Sequence, residues 1–312
     1  MEAFCVMLSN VMLFSFLMIP GFLLGKCGKF HRGAVTTLTN LLMYVGMPFL
    51  VLSKLITMDV CKISMVDLLI CFSFAVGFVF VLFLIYRLLG RKESFSKEGA
   101  FCATFSNCGF MGIPLVSTMF PDQPEITVYV SLFNVFTTFM LWSFGVYILS
   151  GDRKNINLKR MAFSPVTMAI LLGVVLSLTG WGRSIPLLSQ YADILAGITT
   201  PLSMVVLGFQ FSNMRIDGII LQKITYQTIL LKLVVHPFLA ILMMKLGSIL
   251  FHLSVELEIA MLIATAVPTA ASAPAMAETY GADGEKAAKL TVATTLCSLV
   301  TLPLIYLLFQ FV

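Results

Sequence analysis

Apolar residues fall along the chain in ten blocks, at positions 4–25, 34–56, 66–89, 99–120, 125–149, 164–180, 187–211, 224–251, 257–279 and 287–311, joined by short polar connections. A helix needs about 20 apolar residues to cross a hydrocarbon core roughly 30 Å thick. The pattern therefore predicts an all-α polytopic membrane protein with ten transmembrane helices. The first block opens Met1-Glu2, with no basic leader and no small-residue cleavage site. It reads as a retained span, not a signal peptide.

Two blocks interrupt the apolar pattern in the same way. The fourth contains SNCGFMGIPLVSTMF (106–120), with Asn107, Gly109, Gly112, Ile113 and Pro114; the ninth contains SAPAMAETY (272–280), in which Ser272, Ala273 and Pro274 follow Pro268. Proline removes a backbone N–H and breaks the helical ladder. In hydrocarbon, freed backbone groups are tolerated only where protein or a water-filled cavity surrounds them. Broken helices at membrane depth therefore mark a binding site. Milder interruptions stand in the second block, where Asn40 precedes Gly46-Met47-Pro48, and in the seventh, at Thr199-Thr200-Pro201.

The interruptions are spaced as a repeat. At an offset of 160 residues Pro114 falls on Pro274, Phe120 on Tyr280 and Asn134 on Thr294. Each half has five spans, an odd number, so the second copy enters the membrane from the opposite side, the inverted-topology arrangement of many secondary transporters. The expected organisation is a first repeat over 1–150 (helices 1–5), a basic cytoplasmic linker over 151–163, and a second repeat over 164–312 (helices 6–10).

Composition and charge sharpen this picture. The chain is 59% hydrophobic and 11% charged, with mean hydropathy +0.99, against roughly 25% charged residues in a soluble domain. The net charge of +5 is then a topology signal and not a nucleic-acid footprint. The odd connections hold Lys26, Lys29 and Arg32; Arg87, Arg91, Lys92 and Lys97; Arg153, Lys154, Lys159 and Arg160; Arg215 and Lys223; Lys286 and Lys289. The even ones and the helix ends beside them hold only Lys54, Lys62, Arg183 and Lys245. Basic residues stay on the cytoplasmic side, so the odd connections are cytoplasmic and both termini lie outside a plasma or inner membrane. The 7 cysteines are dispersed without a C-x-x-C pair, which is neither a disulfide framework nor a metal site.

The sequence MGIPL (111–115) preceded by Asn107, with the prolines and tyrosine spaced from Val267 to Tyr280, resembles the auxin efflux carrier (PIN-like) family, whose bacterial members include malonate and malate carriers. The resemblance runs over essentially the whole chain. Plant members of the auxin branch carry a long hydrophilic loop between the halves, whereas this chain has about ten residues there, which favours a compact carrier of bacterial type. The resemblance implies a fold similar to sodium/proton antiporters and bile acid transporters, in which helices 4 and 9 cross at Pro114 and Pro274. It further implies a homodimer, and a scaffold of helices 1, 2, 6 and 7 against which helices 3–5 and 8–10 move.

A crossing of this kind has its own chemistry. Half-helices beginning near Pro114 and Pro274 would each present unpaired N–H groups and about half a positive charge to one point, and two such termini form an anion site. Gly109, Gly112, Ser272 and Ala273 let a carboxylate approach the backbone, Asn107 offers its amide, and Asn40 or Thr200 offer side chains from the neighbouring interrupted helices, beside Pro48 and Pro201. The expected substrate is a small organic anion, a carboxylate bound at the crossing, and the expected partners are that anion and the lipid bilayer.

Lys232 lies nine residues past Lys223, about 13 Å into its span at 1.5 Å per residue. It reads either as a fixed cation that attracts the anion or replaces a coupling ion, or as a structural lysine on backbone carbonyls. His236, one turn on, shares its face. The 15 acidic residues fall in connections or near span ends, so the mid-membrane carboxylate of a cation antiporter is missing, and facilitative, exchange or weakly coupled anion transport is expected. The alternative is a sodium- or proton-coupled anion symporter, with Asn134, Thr294 and Thr295 as sodium-holding candidates. No cofactor is expected. An enzyme would need a nucleophile with a base, or paired carboxylates, at depth; Ser106 and Ser272 have no acid nearby in sequence.

Overall fold

A computed structural model describes residues 2–29, 32–57, 65–90, 96–152, 154, 164–212 and 222–311. Most of the 151–163 linker, with Arg153, Lys159 and Arg160, lies outside the described residues, as do Lys62, Arg91, Lys92 and Arg215. Among the described residues, seven helices are long and apolar enough to cross a membrane: Val6–Lys26, Thr36–Ile56, Val66–Ile85, Pro124–Ser150, Pro186–Ser212, Lys223–Phe251 and Gly284–Phe309.

In chain order the α-helical elements are α1 (Glu2–Lys26), α2 (Arg32–Leu41), α3 (Met47–Thr57), α4 (Met65–Gly90), α5 (Lys97–Thr104), α6 (Ile113–Met119), α7 (Pro124–Met140), α8 (Val146–Ser150) and α9 (Pro165–Leu178). They continue as α10 (Trp181–Ser184), α11 (Pro186–Gly197), α12 (Thr199–Ser212), α13 (Lys223–Leu230), α14 (His236–Phe251), α15 (Val255–Ala266), α16 (Ala273–Thr279) and α17 (Gly284–Phe309). Helix starts follow local chemistry. Ser96, Ser164, Ser254 and Asp283 cap α5, α9, α15 and α17, each side chain accepting a first-turn backbone N–H.

The ten apolar blocks therefore do not become ten equal helices. The fourth is split into α5 and a Cys108–Met119 helix, the ninth into α15 and α16, and the sixth is the 14-residue α9. The interruption expected at Gly46-Met47-Pro48 is a widened turn and not a break, since Thr36–Ile56 is helical throughout. π-helical turns at Leu42–Gly46, Cys108–Gly112 and Leu231–Val235 each end two residues before a proline, Pro48, Pro114 and Pro237. A proline ring collides with the carbonyl four residues back. Widening the preceding turn opens the ladder at that place and lets the helix continue. In the seventh block the helical ladder lapses only at Ile198, between α11 and α12, which keeps right-handed helical angles (φ −73°, ψ −18°), so Pro186–Ser212 runs on as one span with Pro201 in the first turn of α12.

Packing sorts these helices around two seams. α1 lies along α12, and α3 is covered by α9 and α11. The α1–α12 approach is backbone to backbone: a Cβ on Gly21 would stand 1.9 Å from the Val205 carbonyl oxygen, and one on Gly208 1.9 Å from that of Met18. Small residues at a membrane-helix interface allow this approach, because van der Waals contact replaces the hydrophobic drive that lipid removes. On the other side α7 packs against α4 and α15, and α17 against α16.

The two ends of this second group are tied by different polar clusters. At one, Lys97 Nζ donates to the Leu149 and Gly281 carbonyls, 3.0 Å each, while Glu98 accepts the Asp283 N–H and lies 3.7 Å from Lys286. At the other, Tyr129 and Ser254 hydroxyls both donate to Asp67 Oδ2 at 3.0 Å. Lys97 and Lys286, which belong to different odd connections, are thus brought to one end.

Candidate functional site

The two broken stretches meet as extended chain. Ser106 and Thr269 form an antiparallel bridge. The Asn107 N–H donates to the Pro268 carbonyl at 2.7 Å, and the Ala270 N–H to the Phe105 carbonyl at 2.9 Å. Each break thereby supplies the hydrogen bonds the other lacks, as chain at membrane depth requires. Side chains complete the exchange. Thr269 Oγ1 donates to the Cys102 carbonyl at the end of α5, and Cys108 Sγ to the Ala264 carbonyl at the end of α15.

The meeting point is at Phe105–Asn107 and Pro268–Ala270, not at Pro114 and Pro274. The helix carrying Pro114 begins at Cys108, with Asn107 at its cap position, and Gly112, Ile113 and Pro114 are packed inside, away from the break. Pro274 does lie in the first turn of α16, after Ala273 and behind Ser272.

A cavity of about 180 Å³ opens beside this junction. Asn107, Gly109, Ser272 and Asn134, four of the residues singled out from the sequence, line it. Among the described residues the buried Asn107 amide nitrogen has no hydrogen-bond partner, and a Cβ on Gly109 would be 3.7 Å from Asn134 Oδ1. The rest of the wall includes Ser106, which the sequence presents only as a candidate nucleophile, and residues that the sequence does not assign to the site, among them Phe105, Phe110, Thr137, Thr138 and Trp142. Part of that wall had a legible signal: Asn134, Thr137, Thr138 and Leu141 follow the i, i+3, i+4, i+7 spacing of one helix face. Phe105 and Met276 had none, because only the meeting of the two breaks brings them to the same wall.

The remaining candidates lie elsewhere. Asn40, Pro48 and Thr200 do not line the cavity, although Met43 and Met47 of the same helical stretch as Asn40 do. Thr294 is buried behind the second break, where its hydroxyl oxygen accepts the Thr269 N–H at 3.4 Å. Lys232 is fully buried and donates to the Ser106 hydroxyl and to the Thr265 carbonyl. His236 is buried edge-on to Phe78, 5.5 Å between centroids. Asp193 and Glu278 are exposed, and among the described residues no acidic side chain lines the cavity.

Seven apolar helices of membrane-crossing length, with broken stretches that pair beside a cavity, are those of a polytopic membrane protein. The chain matches the membrane transport protein family over residues 6–306, and it belongs to that family, the auxin efflux carrier (PIN-like) group. It is 26% identical over 294 residues to an uncharacterized transporter of Methanothermobacter thermautotrophicus, an alignment covering 92% of this chain and 93% of that protein. It is a transport protein and not an enzyme.

Proposed function

We propose that the protein is a secondary transporter of small organic anions, carboxylates of the malonate, malate or auxin kind, working by alternating access with the anion bound in the cavity beside the paired breaks. The observation that carries this reading is the buried, unpartnered Asn107 amide nitrogen on the cavity wall. A buried donor without an acceptor costs about 1–3 kcal/mol, and a bound carboxylate oxygen removes that cost. The Cys108–Met119 helix starts at the same place, adding first-turn N–H groups and the positive end of its dipole.

Matching parts of the two breaks support an inverted repeat. Each begins at a serine-capped helix with an acid two residues past the cap, Ser96 with Glu98 and Ser254 with Glu256, and passes through extended chain into a second helix. Asn134 beside the first break and Thr294 beside the second occupy corresponding places. The gathering of Lys97 and Lys286 at one end supports that end as the cytoplasmic one, with both termini on the other side. Among the described residues no carboxylate lines the cavity, which favours anion transport without titration of an acidic side chain.

A thermal-shift screen of the purified protein against malonate, malate, lactate, oxalate and indole acetate, with and without sodium, tests the reading. A ligand that binds only the folded protein raises the midpoint with its saturation. A carboxylate should stabilise the wild type and lose its effect in Asn107→Ala. A midpoint shift by sodium alone would refute the anion site, and a carboxylate shift seen only with sodium would favour the coupled symporter.

A further inference from the structure

Lys232 is not among the residues that line the cavity, yet Ser106, its one side-chain hydrogen-bond partner among the described residues, is. Ser106 lies on the cavity wall, and its hydroxyl oxygen accepts a hydrogen bond from the buried Lys232 ammonium. A hydroxyl that accepts from a cation has its own O–H pointing away from that cation, and the bond is polarised toward donation. Among the described residues no acceptor takes the Ser106 proton. Hydrogen bonds on both sides, Ala270 N–H to Phe105 and Asn107 N–H to Pro268, hold the Ser106 backbone in its bridge with Thr269, and the bond from Lys232 holds its side-chain oxygen, so the hydroxyl hydrogen is left to rotate toward an acceptor in the cavity.

The cation is also short of a countercharge. Among the described residues Lys232 has the Ser106 hydroxyl and the Thr265 carbonyl as acceptors and no carboxylate. A buried charge without an opposite partner is strongly destabilising. The cavity offers a place for an opposite charge, and Ser106, which lines it and accepts from Lys232, stands between them.

We propose that Ser106 is a specificity-determining residue of the transport site: it donates its hydroxyl hydrogen to the substrate carboxylate, and Lys232 acts through it as a positioning residue, so that the cavity selects an anion over the neutral analogue without exposing a cation. This rests on the anion reading of the cavity given above. The relay needs no bond to form or break and no proton to be transferred. It separates two tasks: Asn107 offers a donor that any carbonyl could accept, whereas Ser106, polarised by Lys232, favours the charged form.

The test is equilibrium binding to the full-length protein in detergent, using acetate, butanoate, malonate and phenylacetate, each paired with its neutral amide. For the tightest-binding acid, Ser106→Ala should weaken the carboxylate about tenfold, the order expected for a charge-assisted hydrogen bond, while the amide changes less than twofold. Ser106→Thr, which keeps the hydroxyl, should restore the wild-type ratio. In a Lys232→Met background, Ser106→Ala should have little further effect on the carboxylate. If that background does not fold, the Ala and Thr variants in wild type decide the matter.

Two results would overturn the inference while leaving the anion site intact: wild-type carboxylate affinity in Ser106→Ala, or equal loss of acid and amide, which would make Ser106 a matter of shape alone. If none of the four acids binds the wild type, the anion reading itself fails, and the Ser106 inference with it.

Discussion

Asn107 donates its backbone N–H to the Pro268 carbonyl at 2.7 Å, joining residues 161 positions apart in the sequence. The same residue leaves its side-chain amide nitrogen buried and unpartnered on the cavity wall. Its backbone thus belongs to the framework and its side chain to the site, and substitutions that keep the backbone separate the two.

Asn107→Ala should therefore leave the ligand-free protein as stable as the wild type, or slightly more stable, because it removes an unpaired buried amide. Asn107→Asp should abolish carboxylate binding through like-charge repulsion at a fixed position. Thermal midpoints without ligand, read beside the ligand-induced shift, check both. A large loss of ligand-free stability in Asn107→Ala would mean that the side chain has a structural partner.

The Gly21 and Gly208 contacts predict a sharp steric limit. Gly208→Ala places a methyl 1.9 Å from the Met18 carbonyl oxygen, and because the obstacle is backbone, α1 and α12 must separate. The expected loss is about 3 kcal/mol, the upper end of overpacking costs. Gly197→Ala, where a Cβ meets nothing within 4 Å, should stay within about 0.5 kcal/mol of wild type. Unfolding in detergent with increasing denaturant would compare them.

Thr269→Val removes the hydroxyl that donates to the Cys102 carbonyl at 2.6 Å and keeps the side-chain shape. Both groups are buried, so the orphaned carbonyl should cost about 1–3 kcal/mol. The damage should appear as faster proteolysis or amide exchange in the last turn of α5 before global unfolding. Unchanged exchange there would show that the Cys102 carbonyl finds another donor.

Acid should loosen the end of the molecule held by Glu98. Burial pushes this carboxyl up, but the Ser96 hydroxyl, its own backbone N–H, the Asp283 N–H and Lys286 together outweigh it and leave the group below its ordinary value of 4.5. A depressed carboxyl stabilises the fold fully above its unfolded value, and the contribution is lost as pH falls through the folded value. Stability attributable to Glu98 should thus be level above about pH 5 and decline below pH 4.5, and Glu98→Gln should flatten that part of the acid limb. Midpoints measured from pH 6 to pH 3.5 give the comparison; parallel curves would remove Glu98 from the cause.

What the amino-acid order determined by itself was the membrane class, the helical content, the places where helices are disturbed and a few residues of the site, among them Asn107 and Asn134. Those follow from hydropathy over about 20 residues, from proline's missing N–H and from the helical period, all local properties. It did not reveal how each disturbance is resolved. Pro48, Pro114 and Pro237 are absorbed by a widened turn, while Phe105–Asn107 and Pro268–Ala270 part into extended chain. Proline alone does not decide between these outcomes; extended chain survives only where a second broken segment supplies its hydrogen bonds.

The same reasoning explains Ser106 and Lys232. Neither residue type, nor their separation of 126 positions, marks a pair. Only the packing of the first break against the Lys223–Phe251 helix brings the ammonium to the hydroxyl, and only the meeting of the two breaks turns that hydroxyl to the cavity wall. Tertiary structure decided the site because its donors come from segments far apart in the chain, held by each other's backbones.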